Sequence, residues 1–261
     1  MGVGLAYIST ESKIMSDQNR VYTAAALVIG NEILSGRTQD KNINYIAEKL
    51  GDNGVRLMEV RIVPDIESMV VHAVNRLRVQ YDYVFTTGGI GPTHDDITAE
   101  CMAKAFEVDL VQNEDAYKIL LGYYKDPKAL TEARLKMALM PEGAVLVDNP
   151  VSGAPGFRVE NVYVMAGVPG IMQGMLDSIL PTLKGGAVVL SESVELAFPE
   201  SAIAEGLGVI QDRYFPDVEI GSYPQYREGK HAVSVVLRSV DAGKVKQAAA
   251  DVQALSDSLV L

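Results

Sequence analysis

A glycine-rich segment with two adjacent carboxylates has the composition of a phosphate-binding turn. Residues 86–98 read Thr-Thr-Gly-Gly-Ile-Gly-Pro-Thr-His-Asp-Asp-Ile-Thr. Its three glycines permit a positive φ and let the main chain approach a ligand closely, and the helix predicted to follow presents unpaired N–H groups to an anion. We therefore expect ligand contacts from Gly88, Gly89, Gly91, Thr93 and His94.

The paired carboxylates in this segment indicate a metal ion. Asp95 and Asp96 would repel a phosphate unless a hard cation such as Mg²⁺ lay between them. The competing interpretation is a tight strand-to-helix turn in which one of the two caps the helix. Because a branched side chain would fill the phosphate's approach, Gly89→Val should abolish ligand binding and leave the fold largely intact.

Polar residues also follow the two strands predicted earlier in the chain. Glu32 and Asn42 come after the first strand and could reach the ligand together with Gly30. Glu32 could equally be a solvated loop acid. Asp65 follows the second strand and is a third candidate metal ligand, with helix capping as its alternative role.

Two later turns contain small residues and prolines, which suit a rigid pocket wall. Residues 149–156 supply Asn149, and residues 166–170 supply Gly167 and Pro169, as further candidate ligand contacts. The other histidines, His72 and His231, are expected to pack or face solvent. Three scattered histidines and one cysteine lack the spacing of a zinc site.

The hydrophobic pattern that must position these residues alternates strands with helices. Strands are predicted at 21–29, 55–63, 83–87 and 144–147, a hairpin at 157–159 and 162–165, and helices at 40–50, from 64, 97–106, 114–124, 131–140 and 170–180. The second helix should direct Ile66, Met69, Val70, Ala73 and Leu77 inward. This order predicts an α/β fold with a mostly parallel sheet covered by helices and with its ligand loops at one edge.

The chain is expected to divide into a leader at residues 1–20, a large domain at 21–184 and a smaller α+β domain at 185–261. Residues 181–186 look like the boundary, with Gly185 and Gly186 as a flexible joint. The small domain should have the order β-α-β-β-α. Its last helix, from Asp241, should bury one stripe of residues: Val245, Ala248, Val252, Leu255 and Leu259.

Composition narrows the function classes. The net charge of −11 argues against nucleic acid as a partner, because such proteins carry a basic stripe. No apolar run approaches the length of a membrane helix, and residues 1–20 lack the features of a signal peptide. A lone cysteine agrees with a reducing compartment. We therefore expect a cytoplasmic protein. A small phosphorylated ligand remains compatible with this charge.

The motifs together resemble the amino-terminal domain of the CinA-like (competence/damage-inducible) proteins, in the molybdopterin-binding superfamily that includes MoaB and Mog. The resemblance covers about residues 22–183 and rests on the segments at 30–36, 63–65, 87–98, 153–156 and 167–169 with Asn42 and Asn149. The string at 87–98 is highly specific. Residues 221–224 of the small domain also resemble the segment that follows in those proteins.

This resemblance implies a molybdopterin-binding fold that holds a phosphorylated nucleotide or pterin. It implies metal-dependent cleavage of nucleotide diphosphates such as ADP-ribose, with Asp65 and Asp96 as catalytic carboxylates and with Asp65, Asp95 and Asp96 around a divalent ion. The alternatives are molybdopterin binding or adenylyl transfer in cofactor assembly, and a non-catalytic nucleotide-binding module. Ile171 stands where relatives place a glutamate, and Asn31 where they place Asp or Thr. A homo-oligomer is also expected.

Overall fold

The computed structural model describes residues 20–227 and 230–259. The predicted leader, residues 1–20, lies outside the described residues except for Arg20. The chain forms two compact units, the first ending at Gly186 and the second beginning at Ala187. In the described part of the chain, no helix has the length and apolar character needed to cross a membrane.

A six-stranded mixed sheet forms the centre of the first unit. In chain order its strands are β1 (Tyr22–Ile29), β2 (Val55–Val63), β3 (Tyr83–Thr87), β6 (Val145–Val147), β7 (Gly156–Val159) and β8 (Val162–Met165), and a separate pair is formed by β4 (Leu110–Gln112) and β5 (Leu139–Pro141). The strand order is β2-β1-β3-β8-β7-β6. The first four strands are parallel, whereas β7 runs antiparallel to both of its neighbours.

Helices connect the strands and cover both faces of this sheet. They are α1 (Asn31–Leu34), α2 (Asn42–Asp52), α3 (Glu67–Gln80), α4 (Thr98–Phe106), α5 (Glu114–Tyr124), α6 (Glu132–Leu135) and α7 (Pro169–Ile179). One core lies between the sheet and α3, α4 and α5, and the other between the sheet and α2 and α7. Because β1 is covered on both faces, its sequence is an uninterrupted apolar run, as is usual for a central parallel strand. The mostly parallel α/β fold is therefore confirmed.

Two features of the first unit differ from the sequence prediction. Ile66 and Met69 were expected to face inward but are 50% and 46% exposed, because α3 begins only at Glu67 and turns its buried stripe, Val70, Ala73, Val74 and Leu77, toward the sheet. The helix predicted at 131–140 is wrong beyond Leu135. A 3₁₀ turn at Lys136–Ala138 leads into β5, because its main chain pairs with β4.

The second unit has the predicted β-α-β-β-α order. Its elements are β9 (Leu190–Leu196), α8 (Glu200–Tyr214), β10 (Glu219–Arg227), β11 (Lys230–Ser239) and α9 (Ala242–Ser258), and its antiparallel sheet has the order β10-β11-β9. Both helices pack on one face of the sheet around a single core. Asp241 caps α9 by accepting hydrogen bonds from the N–H groups of Gly243 and Lys244. Leu259 is 41% exposed rather than buried, because the helix ends at Ser258.

Candidate functional site

A cleft of about 550 Å³ lies where the loops after β1, β2, β3 and β8 meet. Parallel strands bring their carboxyl ends to one edge of a sheet, and ligands of such sheets bind at that edge. The residues that line the cleft are Ile29, Gly30, Glu32, Thr38, Asp65, the segment 88–93, Asp95, Asp96, Met137, Asn149, Ser152, Ala154, the segment 166–169 and Ile171. The three predicted ligand loops at Gly30, Asp65 and Gly88 therefore converge.

The glycine turn after β3 is held in an open conformation by Thr98. Gly88 and Gly89 have φ values of 104° and 68°. The buried Thr98 hydroxyl donates a hydrogen bond of 2.9 Å to the Gly88 oxygen, and the Thr98 N–H donates one of 3.0 Å to the Gly89 oxygen. A side chain at Gly88 would lie 2.1 Å from the oxygen of Ile29. Only glycine therefore fits where β3 passes β1 into the cleft.

Gly91 corrects one expectation about this turn. Its φ is not positive, so glycine is not required there for a left-handed conformation. A Cβ at this position would instead lie 2.7 Å from a carboxylate oxygen of Asp96. Gly91 therefore provides space for that side chain.

Asp96 accepts hydrogen bonds from Thr93 and does not cap a helix. Its carboxylate accepts the Thr93 N–H at 2.8 Å and the Thr93 hydroxyl. The N-cap position of α4 is Ile97, whose side chain has no hydrogen-bonding atom. The capping interpretation of Asp95 and Asp96 is therefore wrong, and both carboxylates line the cleft.

Asp65 links two of the loops. One of its carboxylate oxygens accepts a hydrogen bond of 2.9 Å from the N–H of Asn31, at the start of α1, so this carboxylate does not cap α3. The Glu32 carboxylate lies beside Gly30, where a Cβ would come within 2.5 Å of it. Glu32, Asp65, Asp95 and Asp96 thus bring four carboxylates to the cleft. Among the described residues, no Lys, Arg or His lines it.

The carboxylates do not form a preassembled metal centre. Within residues 20–227 and 230–259, no three or more His, Cys, Asp or Glu side chains are grouped closely enough to hold a metal ion. Asp65, Asp95 and Asp96 were predicted to surround such an ion. As placed here, they could supply only part of its coordination.

Other predicted ligand contacts have different positions. Asn42 is 4% exposed and does not line the cleft; it instead binds the oxygen of Gly167 through Nδ2 at 2.8 Å. Asn149 lines the cleft, but its amide is used within its own turn, where Nδ2 donates to Ala154 and Ser152. The side chain of His94 is 97% exposed and lies outside the cleft lining. Gly167 and Pro169 line the cleft as predicted, at the start of α7.

Lys136 is a neighbour of the site that the sequence pattern did not indicate. Its Nζ donates a hydrogen bond of 3.2 Å to the Thr93 oxygen and lies 3.8 Å from a carboxylate oxygen of Glu100. Lys136 thus stabilises the turn that carries Asp96 through its hydrogen bond to Thr93. No local sequence pattern indicated Lys136, because it lies 43 residues after Thr93 and reaches the turn only through the pairing of β4 with β5.

Comparison with known proteins assigns the first unit, which contains the cleft, to a protein family. A family model described as "Probable molybdopterin binding domain" matches residues 25–185. The crystal structure of CinA from Thermoplasma acidophilum is 34% identical, with a TM-score of 0.59, over 62% of this chain and 98% of that chain. The chain belongs to the CinA-like molybdopterin-binding family. The predicted resemblance is therefore confirmed. Ile171, which stands where relatives place a glutamate, lines the cleft of this CinA-like chain.

The small unit has a match of its own. A family model described as "FAD synthase, middle domain" covers residues 188–260 of the CinA-like chain, which the sequence motifs did not predict. A protein of Archaeoglobus fulgidus is 38% identical over 221 residues, 84% of this chain and 92% of that protein. A protein of Pyrobaculum aerophilum is 36% identical over 244 residues, 90% and 91% of the two chains. Both matches extend beyond the first unit.

Proposed function

We propose that this protein hydrolyses the diphosphate bond of a nucleotide diphosphate ester with the help of a divalent cation. The observation that carries the proposal is the charge of the cleft. Four carboxylates lie beside a glycine turn suited to phosphate, and no described lining residue is basic. A diphosphate could enter such a cleft only with its charge compensated, since unit charges 4 Å apart still repel by about 4 kcal/mol near a protein surface.

The scattered carboxylates fit a cation that arrives with the phosphates. Mg²⁺ is usually bound through one or two carboxylates plus substrate phosphates rather than in an all-protein cage. A preassembled cluster of three ligands is therefore not needed. Asp65 and Asp96 would hold the ion, since both face the cleft and each carboxylate keeps an oxygen free of the hydrogen bonds described above.

Other residues of the chain would bind one phosphate and position Asp96. The turn at 88–91, at the carboxyl end of β3, would hold one phosphate through the main-chain N–H groups after Gly88, because the Gly88 N–H donates to the oxygen of Met165. Thr93 and Lys136 would keep Asp96 directed at the cleft. When bound, the cation would neutralise charge on the phosphates while water adds to one phosphorus and the bridging oxygen leaves with the other phosphate.

Two family descriptions support a substrate that contains adenosine diphosphate. One unit matches a molybdopterin-binding domain and the other a domain named for FAD synthase. FAD and ADP-ribose share an adenosine diphosphate group, so both should offer the same bridge to the cleft. We expect AMP to be one product of either.

The test is hydrolysis of ADP-ribose and FAD by the purified protein with Mg²⁺, Mn²⁺ or Co²⁺, with product identification. Chelation by EDTA should stop the reaction. Asp65→Asn should slow it at least about tenfold, whereas Asp115→Asn, at an exposed carboxylate on α5, should not change it. No turnover of either substrate with any of the metals, or turnover that survives EDTA, contradicts the proposal.

Pterin binding is the second candidate function. It is favoured by the description of the family model over the cleft-bearing unit. The apolar Ile171 in the cleft also suits a binding module that lacks turnover. Tight binding of a pterin phosphate without hydrolysis of any nucleotide would favour this candidate.

A further inference from the structure

The strand β2 forms one edge of the six-stranded sheet and pairs only with β1 among the described residues. The N–H of Gly30 donates to the oxygen of Val63 at 3.1 Å, so the main-chain groups of Val63 face β1. Because these groups alternate in direction along a strand, those of Ile62 and Val60 face away from β1. Within the described part of the chain these groups have no strand partner, so they offer hydrogen-bond donors and acceptors at the sheet edge.

Apolar side chains accompany these unpaired groups. Met58, Val60 and Ile62 are 52%, 38% and 37% exposed. Natural edge strands are usually protected by charged residues, Pro, a β-bulge or a covering segment. No Lys or Pro occurs between Val55 and Val63, the register irregularity of β2 against β1 is confined to Met58, and the charged Glu59 and Arg61 pair with each other. The edge is therefore suited to a partner strand.

The sequence of β2 is complementary to itself in one antiparallel register. A twofold axis at Val60 places Val60 opposite its own copy and Glu59 opposite Arg61, whereas Ile62 faces the irregular part of the strand at Met58. An axis at Glu59 or at Arg61 would instead oppose two like charges. Opposite charges stabilise a cross-strand pair and like charges destabilise it, so the register centred on Val60 is favoured.

The charged pair is already positioned for this register. Arg61 Nε lies 2.5 Å from Glu59 Oε1, and the Tyr81 hydroxyl donates to the other Glu59 oxygen at 2.7 Å. Both charged side chains are about 70% buried beside each other. Two copies would join these pairs into a ring of four alternating charges.

We propose that two copies of this chain pair their β2 strands antiparallel about a twofold axis at Val60. The six-stranded sheet then continues from one copy into the next. The main-chain groups of Val60 exchange two hydrogen bonds with those of the other Val60. This contact is independent of the proposed hydrolysis.

The test is sedimentation equilibrium of the full chain over a concentration series. Glu59→Arg and Arg61→Glu should each raise the dimer dissociation constant at least about tenfold, because each turns two attractive pairs into repulsive ones. The double variant should restore the wild-type value. Asp115→Arg, which breaks an exposed ion pair on α5, should have no effect.

Monomeric behaviour of the wild-type protein throughout the series contradicts the proposal. A dimer that neither single variant weakens also contradicts it, as does a double variant that stays weakened. Thermal melting of each variant shows whether it folds. If the charge variants melt early, Val60→Asp provides a second test, since it places two like charges on the proposed axis without disturbing the Glu59–Arg61 pair.

Discussion

The side-chain amide of Asn42 donates a hydrogen bond to the main-chain oxygen of Gly167, with 2.8 Å between Nδ2 and O. Asn42 begins α2, and Gly167 follows β8, so the bond joins two loops of the cleft. Gly167 in turn packs on the glycine turn, where a Cβ on it would lie 3.2 Å from Cα of Gly88. Asn42 therefore positions the turn that is proposed to hold phosphate.

We expect Asn42→Ala to weaken binding of an Mg²⁺–ADP-ribose complex about tenfold or more, because Gly167 loses the bond that keeps it against Gly88. The matched control is Asn161→Ala. Asn161 also donates hydrogen bonds to main-chain oxygens through Nδ2, to Arg78 at 3.0 Å and to Tyr81 at 2.9 Å. It lies at the amino ends of β3 and β8, away from the cleft at their carboxyl ends. Calorimetry and thermal melting should show that both variants lose stability but only Asn42→Ala loses affinity. Equal loss of affinity in the two variants would assign Asn42 a purely structural role.

Asp96→Asn should reduce metal-dependent turnover by at least about tenfold, equal to about 1.4 kcal/mol of transition-state stabilisation. Asparagine can still accept the hydrogen bonds from Thr93, so the melting temperature should change little. The cation loses a negative ligand, and the Mg²⁺ concentration at half-maximal rate should rise. Wild-type turnover in the Asn variant, at limiting Mg²⁺, rejects the metal role of Asp96.

The sequence was sufficient to predict the edge of the sheet where the site lies, because parallel strands gather their following loops there. It could not give the direction of side chains within those loops. Asn42 was expected to reach the ligand, yet its amide turns toward Gly167. His94 stands within the glycine-rich segment but faces solvent.

Tertiary pairing explains the other failures. The pattern at 131–140 suits a helix, but residues 139–141 pair with β4 instead and bring Lys136 behind Thr93. That arrangement depends on contacts across 27 or more residues of chain, which a local pattern does not contain.

Cys101 should resist thiol reagents in the folded protein. It is fully buried in α4, directly after the glycine turn, and burial, with smaller contributions from Glu67 and Glu100, raises the pKa of its thiol from 9.0 to about 12. Only the thiolate reacts, so at pH 8 its reactive fraction should be about a thousandfold lower than in the unfolded chain. Labelling with a chromogenic disulfide should be slow in buffer and fast in guanidinium, and the protein's one cysteine makes the signal unambiguous.

This pKa also fixes the sign of a pH effect on stability. Between pH 9 and about 12 the unfolded thiol ionises while the folded thiol stays protonated, so the free energy of unfolding falls as the pH rises through that interval. Cys101→Ala should lose this component of the pH dependence. Rapid labelling of the native protein at pH 8 contradicts the predicted protection.

Two glycines of the turn should respond differently to alanine. At Gly91 the added Cβ would lie 2.7 Å from a carboxylate oxygen of Asp96, and φ is not positive, so Asp96 is displaced with little main-chain strain. Gly91→Ala should lower turnover about tenfold or more and change the melting temperature little. At Gly89 the φ is 68° and the Cβ would lie 2.2 Å from the buried Thr98 hydroxyl, which holds Gly88.

Gly89→Ala should therefore lower the melting temperature as well as turnover, and for the same reason Gly89→Val should also lower the melting temperature, beyond the loss of ligand binding expected from the sequence. Gly122→Ala is the control, because no atom of the described residues lies within 4 Å of a Cβ there, and alanine is favoured over glycine in a helix interior by about 1 kcal/mol. Thermal melting and turnover of the three variants separate the two roles. If Gly91→Ala keeps wild-type turnover, the position of Asp96 does not matter to the reaction. If Gly91→Ala loses turnover at an unchanged melting temperature, hydrolysis depends on the position of the Asp96 carboxylate and not on the stability of the turn.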